Sequence, residues 1–170
     1  MKARDIMIVT LLLLSCNRVP GNKKPASEIL HPTVSQIMEA SGIPRGIYFN
    51  MQFKDFSKLI KSVEVKLKLS NQEKYSTLWR YYYTKEDEEG KFKYEFIFFK
   101  ETLYKIRVKY NWDYSDILAS KIFDIWGENT EKGKRELIWY SDLFALSVRK
   151  NNPVSDWPAE MEFEWRGMVK

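Results

Sequence analysis

The stretch that decides the fold is residues 104–111, which reads Tyr104-Lys105-Ile106-Arg107-Val108-Lys109-Tyr110-Asn111. Apolar or aromatic residues alternate with polar ones, and successive side chains of a β-strand point to opposite faces. The stretch therefore predicts a strand with one buried and one wet face, which is typical of an antiparallel sheet. A one-residue slip would bury the charges, so the pattern also specifies its own register.

Two further stretches, residues 63–70 and 160–166, share this alternation. Their apolar members are Val63, Val65, Leu67 and Leu69, and then Met161, Phe163 and Trp165. Weaker strand signals, rich in aromatic and β-branched residues, occur at residues 46–49, 75–84, 91–100, 137–140 and 143–149. The acidic link at residues 85–90 ends in glycine and predicts a hairpin.

Three helices are predicted between the strands, at residues 33–40, 53–61 and 113–126. The last one has Ser115 as its N-cap and stops before Gly127, because serine favours helix starts and glycine favours helix ends. Helices that interrupt runs of strands indicate an α+β fold. We expect an antiparallel β-sheet with two or three short helices packed on one face.

The net charge of the chain is +5, and most of it lies near the N-terminus. The residues before Thr33 include five basic and two acidic side chains, which gives 5 − 2 = +3 and leaves 5 − 3 = +2 for the remainder. Nucleic-acid binding needs a clustered basic face, so a nearly neutral domain argues against a nucleic-acid partner.

The first fifteen residues have the layout of a signal peptide. Lys2 and Arg4 give a basic start, and residues 6–14 are apolar apart from Thr10. Nine helical residues span about 14 Å, which is about half of a bilayer core. The segment therefore suits an export signal and is too short for a transmembrane helix. No other stretch approaches spanning length, so no transmembrane segment is predicted.

The sequence Leu13-Leu14-Ser15-Cys16 ends this segment, and Cys16 is the only cysteine. It resembles the lipobox of bacterial lipoproteins, in a form similar to that of spirochaetal lipoproteins. The resemblance implies that diacylglycerol is joined to the Cys16 thiol. It also implies that the lipoprotein signal peptidase recognises Leu13, Leu14 and Ser15 and cuts before Cys16. The alternative is an ordinary secretory signal with an incidental cysteine.

A lipid anchor at Cys16 would place the protein in the bacterial cell envelope. One acyl chain binds a membrane only marginally, whereas two or three chains, palmitate among them, make the attachment long-lived. We expect the anchor in the outer membrane, with the domain on its periplasmic or surface face. Residues 1–15 are then the signal peptide, residues 16–32 the lipidated cysteine and a proline-rich tether, and residues 33–170 a single α+β domain.

Part of the domain is similar in plan to the α+β domains of the β-lactamase-inhibitor-protein and outer-membrane-assembly-lipoprotein type. Residues 46–51 lead into the helix with Phe53 and Phe56, and residues 98–106 lead by way of residues 114–118 to Trp126-Gly127. A return strand with Trp139-Tyr140 follows. The resemblance implies a sheet closed over short helices. Such domains are binding or scaffold modules, although fold alone does not give function.

Catalytic and metal-binding constellations are sparse. The only histidine, His31, lies in the predicted tether, where nothing would hold it as a catalytic base. One histidine and one lipidated cysteine cannot form a zinc site, so no metal and no cofactor are predicted. Glu160, Glu162 and Glu164 share one face of a strand and could support a carboxylate hydrolase. A solvated sheet face explains them better, and we expect no enzyme.

The remaining candidate surface is aromatic and basic. Trp79, Tyr81 and Tyr83 share one face of a predicted strand, and Arg80 and Tyr82 share the other. Tyrosine and arginine are enriched at binding hot spots, so Arg80 and Tyr82 form a possible interaction surface. The sequence alone leaves open which face is core. The favoured hypothesis is a non-catalytic protein-binding module with a protein partner, and the alternative is a small-ligand carrier with an apolar cleft.

Overall fold

One antiparallel sheet dominates the computed structural model, which describes residues 34–62, 67–88, 90–152 and 154–168. Its eight strands lie in the order β1-β2-β3-β4-β8-β7-β6-β5. Their bounds are β1 Lys68–Tyr75, β2 Leu78–Asp87, β3 Gly90–Phe99, β4 Thr102–Tyr110, β5 Glu131–Lys132, β6 Glu136–Tyr140, β7 Phe144–Lys150 and β8 Ala159–Trp165. The last strand lies at the centre of the sheet, between β4 and β7, and joins two sequential meanders.

Within the described residues, three α-helices accompany the sheet, which confirms the α+β class. Helix α1 covers residues 34–40, and the others are α2 (Phe53–Ile60) and α3 (Ser115–Trp126). A short 3-10 helix, Arg166–Met168, follows the last strand. All three predicted helices are present over the described residues. Gly127 follows α3 with a φ of +90°, as expected of a residue that ends a helix.

Aromatic side chains form the core on one face of the sheet. Tyr81 pairs with Phe96 in the register of β2 and β3, and both side chains are buried. The same face supplies most of the large side chains that are less than 2 % exposed: Tyr94, Tyr110, Phe96, Phe98, Phe163, Ile106 and Leu146. Burial of each such ring or aliphatic chain stabilises the fold by roughly 1.5–3 kcal/mol before entropy is counted.

Helical residues contact this aromatic face at several points. In α2, the Phe56 ring centroid lies 4.8 Å from that of Phe96 and 5.0 Å from that of Phe98. In α3, the ring centroid of Trp126 lies 6.3 Å from that of Phe163. Just after α1, the backbone carbonyls of residues 41 and 42 accept hydrogen bonds of 2.8 Å from two buried tyrosine hydroxyls, Tyr110 and Tyr94 respectively.

The strand predicted at residues 46–49 is wrong, because residues 46 and 49 lie in turns and residues 47 and 48 belong to no strand. Gly46 has a φ of +85° and Asn50 a φ of +68°, and this left-handed backbone interrupts any extended run. Ile47 and Phe49 are nevertheless buried, at 5 % and 8 % exposure. These apolar side chains therefore contribute to the core without an extended backbone.

Two predicted strand boundaries are also wrong. The chain turns at Ser76 and Thr77, so the strand predicted at residues 75–84 is split between the end of β1 and the start of β2. Leu69 of β1 is 47 % exposed, because β1 is the outermost strand of the sheet. The predicted strand at residues 63–70 is thus confirmed only from Lys68 onward, and residues 63–66 lie outside the described residues.

A β-bulge changes the face on which Tyr104 lies. Ile97 pairs with Lys105 and Phe98 pairs with Leu103, so Tyr104 is the extra residue. Leu103 takes the core position with no exposed surface, and Tyr104 is only half-buried. The other predicted core residues of this strand are buried as expected. At α3 the cap prediction is also wrong, because the N-cap is Tyr114 and the Ser115 hydroxyl donates to the Asp113 carboxylate at 2.7 Å.

Candidate functional site

The second face of the sheet carries charged side chains across its central strands. Because side chains alternate along a strand, the neighbours of the core residues Tyr81 and Phe96 point to this second face. We call this surface the charged face, and its members are Arg80, Tyr82, Glu95, Lys105, Arg107, Lys109, Arg149, Glu160, Glu162 and Glu164.

The strand register aligns these side chains in rows across the sheet. The middle row runs through Tyr82, Glu95, Arg107, Glu162 and Ser147, each paired with the next. The flanking rows cross β4, β8 and β7 as Lys105-Glu164-Ala145 and as Lys109-Glu160-Arg149. Strands β4 and β8 therefore meet as three directly opposed pairs of a cation and a carboxylate, an arrangement that stabilises cross-strand pairing.

Arg107 lies at the centre of this network. Its Nη1 atom is 2.6 Å from Oε2 of Glu95, and its Nε donates to Oε2 of Glu162 at 3.0 Å. Its Nε is also 3.5 Å from Oε1 of Glu160. Glu95 and Glu160 are only 7 % and 8 % exposed, so their charges need these partners.

The remaining cations complete the pairing of the glutamates. Lys105 Nζ lies 2.6 Å from Oε2 of Glu164 and 3.0 Å from Oε1 of Glu162. Glu160 has two further neighbours, Lys109 Nζ at 3.4 Å and Arg149 Nη1 at 3.6 Å. Each carboxylate on the charged face therefore has a cation within 4 Å.

The pKa shifts reflect a competition between burial and pairing. Burial alone would raise the pKa of Glu162, but hydrogen bonds from Arg107 and Lys105 outweigh it and hold the pKa below its usual value. Burial alone would lower the pKa of Lys105, and hydrogen bonds to Glu164 and Glu162 raise it overall. Both groups are therefore ionised at neutral pH, and the network presents fixed charges.

The predicted interaction residues Arg80 and Tyr82 lie together on the charged face, opposite the core residues Tyr81 and Tyr83. Arg80 hydrogen-bonds Tyr82, which is the main reason that the pKa of Arg80 is raised. Its contacts with carboxylates are longer, 3.9 Å from Nε to Glu95 Oε1 and 4.0 Å from Nη1 to Glu73 Oε2. The Arg80 side chain is 39 % exposed, so it combines partial ordering with access to solvent.

A shallow polar groove of about 170 Å³ adjoins the charged face over β6, β7 and β8. Small side chains on β7, Ala145 and Ser147, form part of its lining. At one end, the guanidinium carbon of Arg166 lies 4.6 Å from the ring centroid of Tyr140, a cation–π distance. The groove thus offers hydrogen-bonding groups and one stacked aromatic beside the paired charges.

The three glutamates of β8 share a face, as predicted, but that face is not fully solvated. Glu160 is buried, Glu162 and Glu164 are half-buried, and cations approach all three. Hydrogen bonds from Arg107 and Lys105 lower the pKa of Glu162, so that carboxylate is a weak base. In the part of the chain that the structure describes, no group of three or more histidine, cysteine or acidic residues could hold a metal ion.

Two cavities lie beside α1, where the carrier hypothesis would need an apolar cleft. One is about 40 Å³ and is lined by Val34, Met38, Phe49, Phe144 and other residues. The other is about 240 Å³ and is partly polar in its lining, with Glu39 and Arg45 at its edge. Both are smaller than the ~300 Å³ at which ligand pockets usually begin.

The lipidation residue Cys16 and the signal-peptidase residues Leu13, Leu14 and Ser15 lie outside the described residues, as does His31. Their predicted roles therefore stay predictions. Over the described ranges, no helix is both long enough and apolar enough to cross a membrane.

Sequence reasoning missed the central part of the charged face, namely Glu95, Lys105 and Arg107. A usable signal was present, because residues 105, 107 and 109 are all basic and residues 160, 162 and 164 are all acidic. Complementary charges at the same period predict that two strands are neighbours. No family model, curated protein or solved structure matches the chain. Comparison with known proteins therefore assigns no function to the charged face.

Proposed function

We propose that this chain is a bacterial envelope lipoprotein, anchored through lipidated Cys16, whose domain is a non-catalytic protein-binding module. One observation carries the anchor: the only cysteine stands where a nine-residue apolar segment ends, after Leu13-Leu14-Ser15. Acylation at that position would convert an exported domain into a membrane-tethered one. The proposed site of attachment is the outer membrane, with the domain on its periplasmic or surface face.

The charged face is the proposed binding surface. We infer that the helices pack together on the opposite, aromatic face, because α2 and α3 contact Phe96, Phe98 and Phe163 there. This packing would leave the charged face for a partner. The ion pairs hold its side chains in place, and a preordered surface loses less conformational entropy on binding than a mobile one.

A folded protein is the partner that fits this surface best. The face carries five cations and four carboxylates in alternation, so its charge is nearly balanced. A polyanion such as nucleic acid would meet a glutamate beside each cation and gain little. A protein surface on which carboxylates and cations also alternate could place an opposite charge against each charge of this face. Such charge complementarity gives specificity.

Replacing Cys16 tests the anchor. We expect Cys16→Ala to block both acylation and cleavage, so that the chain keeps its signal peptide, becomes larger and carries no acyl mass. The matched control is Ser15→Ala, which keeps a small residue before the cysteine and should stay anchored. A Cys16→Ala protein that remains in the membrane fraction at its original size would refute the anchor.

Capture from envelope extracts tests the binding surface. We expect detergent-solubilised full-length protein to retain a defined envelope or host protein, and Arg80→Ala/Tyr82→Ala to lose most of it, since Tyr and Arg are enriched among the residues that dominate binding energy. Lys132→Ala/Lys134→Ala, on the remote β5–β6 turn, is the control. If both variants retain the partner equally, the charged face is not the binding surface.

Protease added to intact cells distinguishes the two sides of the outer membrane. Cleavage in intact cells would place the domain on the surface, whereas cleavage only after permeabilisation would place it in the periplasm. A domain that is cleaved only once the inner membrane is also broken would contradict the envelope location.

A further inference from the structure

The described chain begins at one particular end of the sheet, next to two β-turns. Val34 and Ser35 line a small cavity together with Tyr48 and Asn50. The backbone N–H of Asn50 donates to the carbonyl of Leu103 at 2.9 Å, beside the β3–β4 turn. The segment that leads back to Cys16 therefore enters the domain at the end that carries these turns.

Contacts between loops define this end further. The N–H of Phe53, the first residue of α2, donates to the carbonyl of Glu101 in the β3–β4 turn at 2.7 Å. The N–H of Lys100 donates to the carbonyl of Thr77 in the β1–β2 turn at 2.8 Å. The start of α2 and both turns thus form one surface, which we call the turn end. It includes Tyr48, Lys54, Lys74, Tyr75 and Lys100.

The turn end combines exposed lysines with exposed aromatic rings. Lys54, Lys74 and Lys100 are exposed, and Tyr75 and Tyr48 have 57 % and 39 % of their surface accessible. Four acidic residues lie in or beside these segments, namely Asp55, Glu73, Glu101 and Asp142, and the Tyr75 hydroxyl is 3.5 Å from Oε2 of Glu73. Five basic residues oppose them: Lys54, Lys58, Lys74, Lys100 and Arg166.

The β3–β4 turn holds its charged side chains at a conformational cost. Lys100 has a φ of +46° and Glu101 a φ of +66°, in the left-handed region where two-residue hairpins usually place Asn or Gly. The hydrogen bonds to Thr77 and Phe53 keep the backbone in this conformation. Asn or Gly would adopt this conformation at lower cost, and the turn instead presents a lysine whose Nζ lies 5.4 Å from the centroid of the Phe99 ring.

We propose that the turn end is the membrane-facing end of the domain and lies against anionic lipid headgroups. This inference rests on the proposed Cys16 anchor, which limits the domain to about 60 Å from the surface, because eighteen residues span at most 3.3–3.6 Å each. Lysines attract anionic lipids, and tyrosines favour the interface between headgroups and water. The excess of one positive charge is small, so the contact depends on the high local concentration that tethering gives.

Lysine footprinting on the anchored protein tests the orientation. Full-length lipidated protein is reconstituted into vesicles of phosphatidylcholine, or of phosphatidylcholine and phosphatidylglycerol in equal amounts. Amine acetylation is then read by mass spectrometry. In the anionic vesicles we expect labelling of Lys54, Lys74 and Lys100 to fall on the order of fivefold, the effect of about one basic contact. Lys132 and Lys134, at the opposite end of the strands, should label equally in both, and high salt should abolish the difference.

A pair of variants separates electrostatic docking from other causes of protection. Lys54→Gln/Lys74→Gln/Lys100→Gln should raise the labelling of the retained Lys58 in anionic vesicles to its level in phosphatidylcholine. The control, Lys132→Gln/Lys134→Gln/Arg135→Gln, removes the same charge at the remote end and should change nothing at the turn end. Thermal unfolding checks that both variants are folded.

The outcomes distinguish the orientation from the anchor. Protein that sediments with both kinds of vesicle but labels equally in them overturns the membrane-facing end and leaves the anchor intact. Protection of Lys132 and Lys134 in place of the turn end also overturns it. Protein that sediments with neither kind overturns the anchor, and the orientation with it.

Discussion

Arg107 should be the most sensitive surface position of the sheet. Its guanidinium contacts Glu95, Glu162 and Glu160. After Arg107→Met, Glu162 keeps Lys105 at 3.0 Å, but Glu95 keeps only Arg80, at 3.9 Å. The Glu95 side chain is 9 % exposed, so the variant leaves a buried carboxylate without a close cation.

The expected cost follows from this uncompensated charge. Breaking a fully buried ion pair costs about 3–5 kcal/mol, and Arg107 itself is 28 % exposed, so we expect a loss of about 2–3 kcal/mol. Urea unfolding at neutral pH, followed by tryptophan fluorescence, measures the free energy of unfolding. Adding Glu95→Gln to Arg107→Met should recover about half of the loss, because it removes the orphaned charge.

The pH dependence of this loss has a definite sign. The pKa of Glu162 is lowered in the folded state, so its contribution is present above the unfolded carboxyl pKa of about 4.3 and is lost as pH falls through the lower folded value. The gap between Arg107→Met and the parent should therefore shrink below about pH 4. The control Arg45→Met, in an exposed pair with Glu39, should cost at most about 0.5 kcal/mol. A loss below about 1 kcal/mol for Arg107→Met, or one no larger than the control, would refute the reasoning.

Three further predictions concern the core and the turns. Tyr110→Phe removes the hydrogen bond to the Ser41 carbonyl and should cost about 1–2 kcal/mol in urea unfolding; an unchanged midpoint would contradict it. Burial raises the pKa of Tyr110 well above its usual value, so its contribution is complete below about pH 10 and is lost as pH rises further. We therefore expect the free energy of unfolding of the parent protein to fall above that pH. In Tyr110→Phe the free energy of unfolding should fall less steeply with pH. Gly90→Ala brings a methyl group into collision with the Trp112 ring and should lower Tm by several degrees more than Gly127→Ala, whose site is open at a similarly unfavourable φ. Equal losses would argue against the clash.

The sequence predicted the sheet core well, because period-2 alternation reports burial directly. Ile106, Val108 and Tyr110 of β4 and Met161 and Phe163 of β8 are all buried as their pattern requires. The α+β class also followed from the order of the elements. These successes depend on local spacing, and local spacing is what a single sequence contains.

Errors arose where distant contacts decide the outcome. The bulge that moves Tyr104 out of the core depends on pairing with β3, and no local pattern marks it. Leu69 has the alternation of a half-buried strand, yet it is exposed because β1 is the outermost strand. Residues 46–49 have strand-like composition, but two positive-φ positions turn the chain.

The charged face shows which part of a site can be predicted from one sequence. The placement of Arg80 and Tyr82 on a common face followed from their spacing. Their position opposite the core required knowing that Tyr81 and Tyr83 pack inward. Opposed basic and acidic patterns on β4 and β8 were visible in the sequence, and reading them together would have predicted both the pairing of these strands and its register.

Intact mass spectrometry of the protein extracted from its own membranes tests the anchor most directly. The account predicts one species that begins at Cys16 and is heavier than that polypeptide by a diacylglyceryl group, with or without a further acyl chain. A chain of all 170 residues that retains Met1 and a free Cys16 thiol would contradict it.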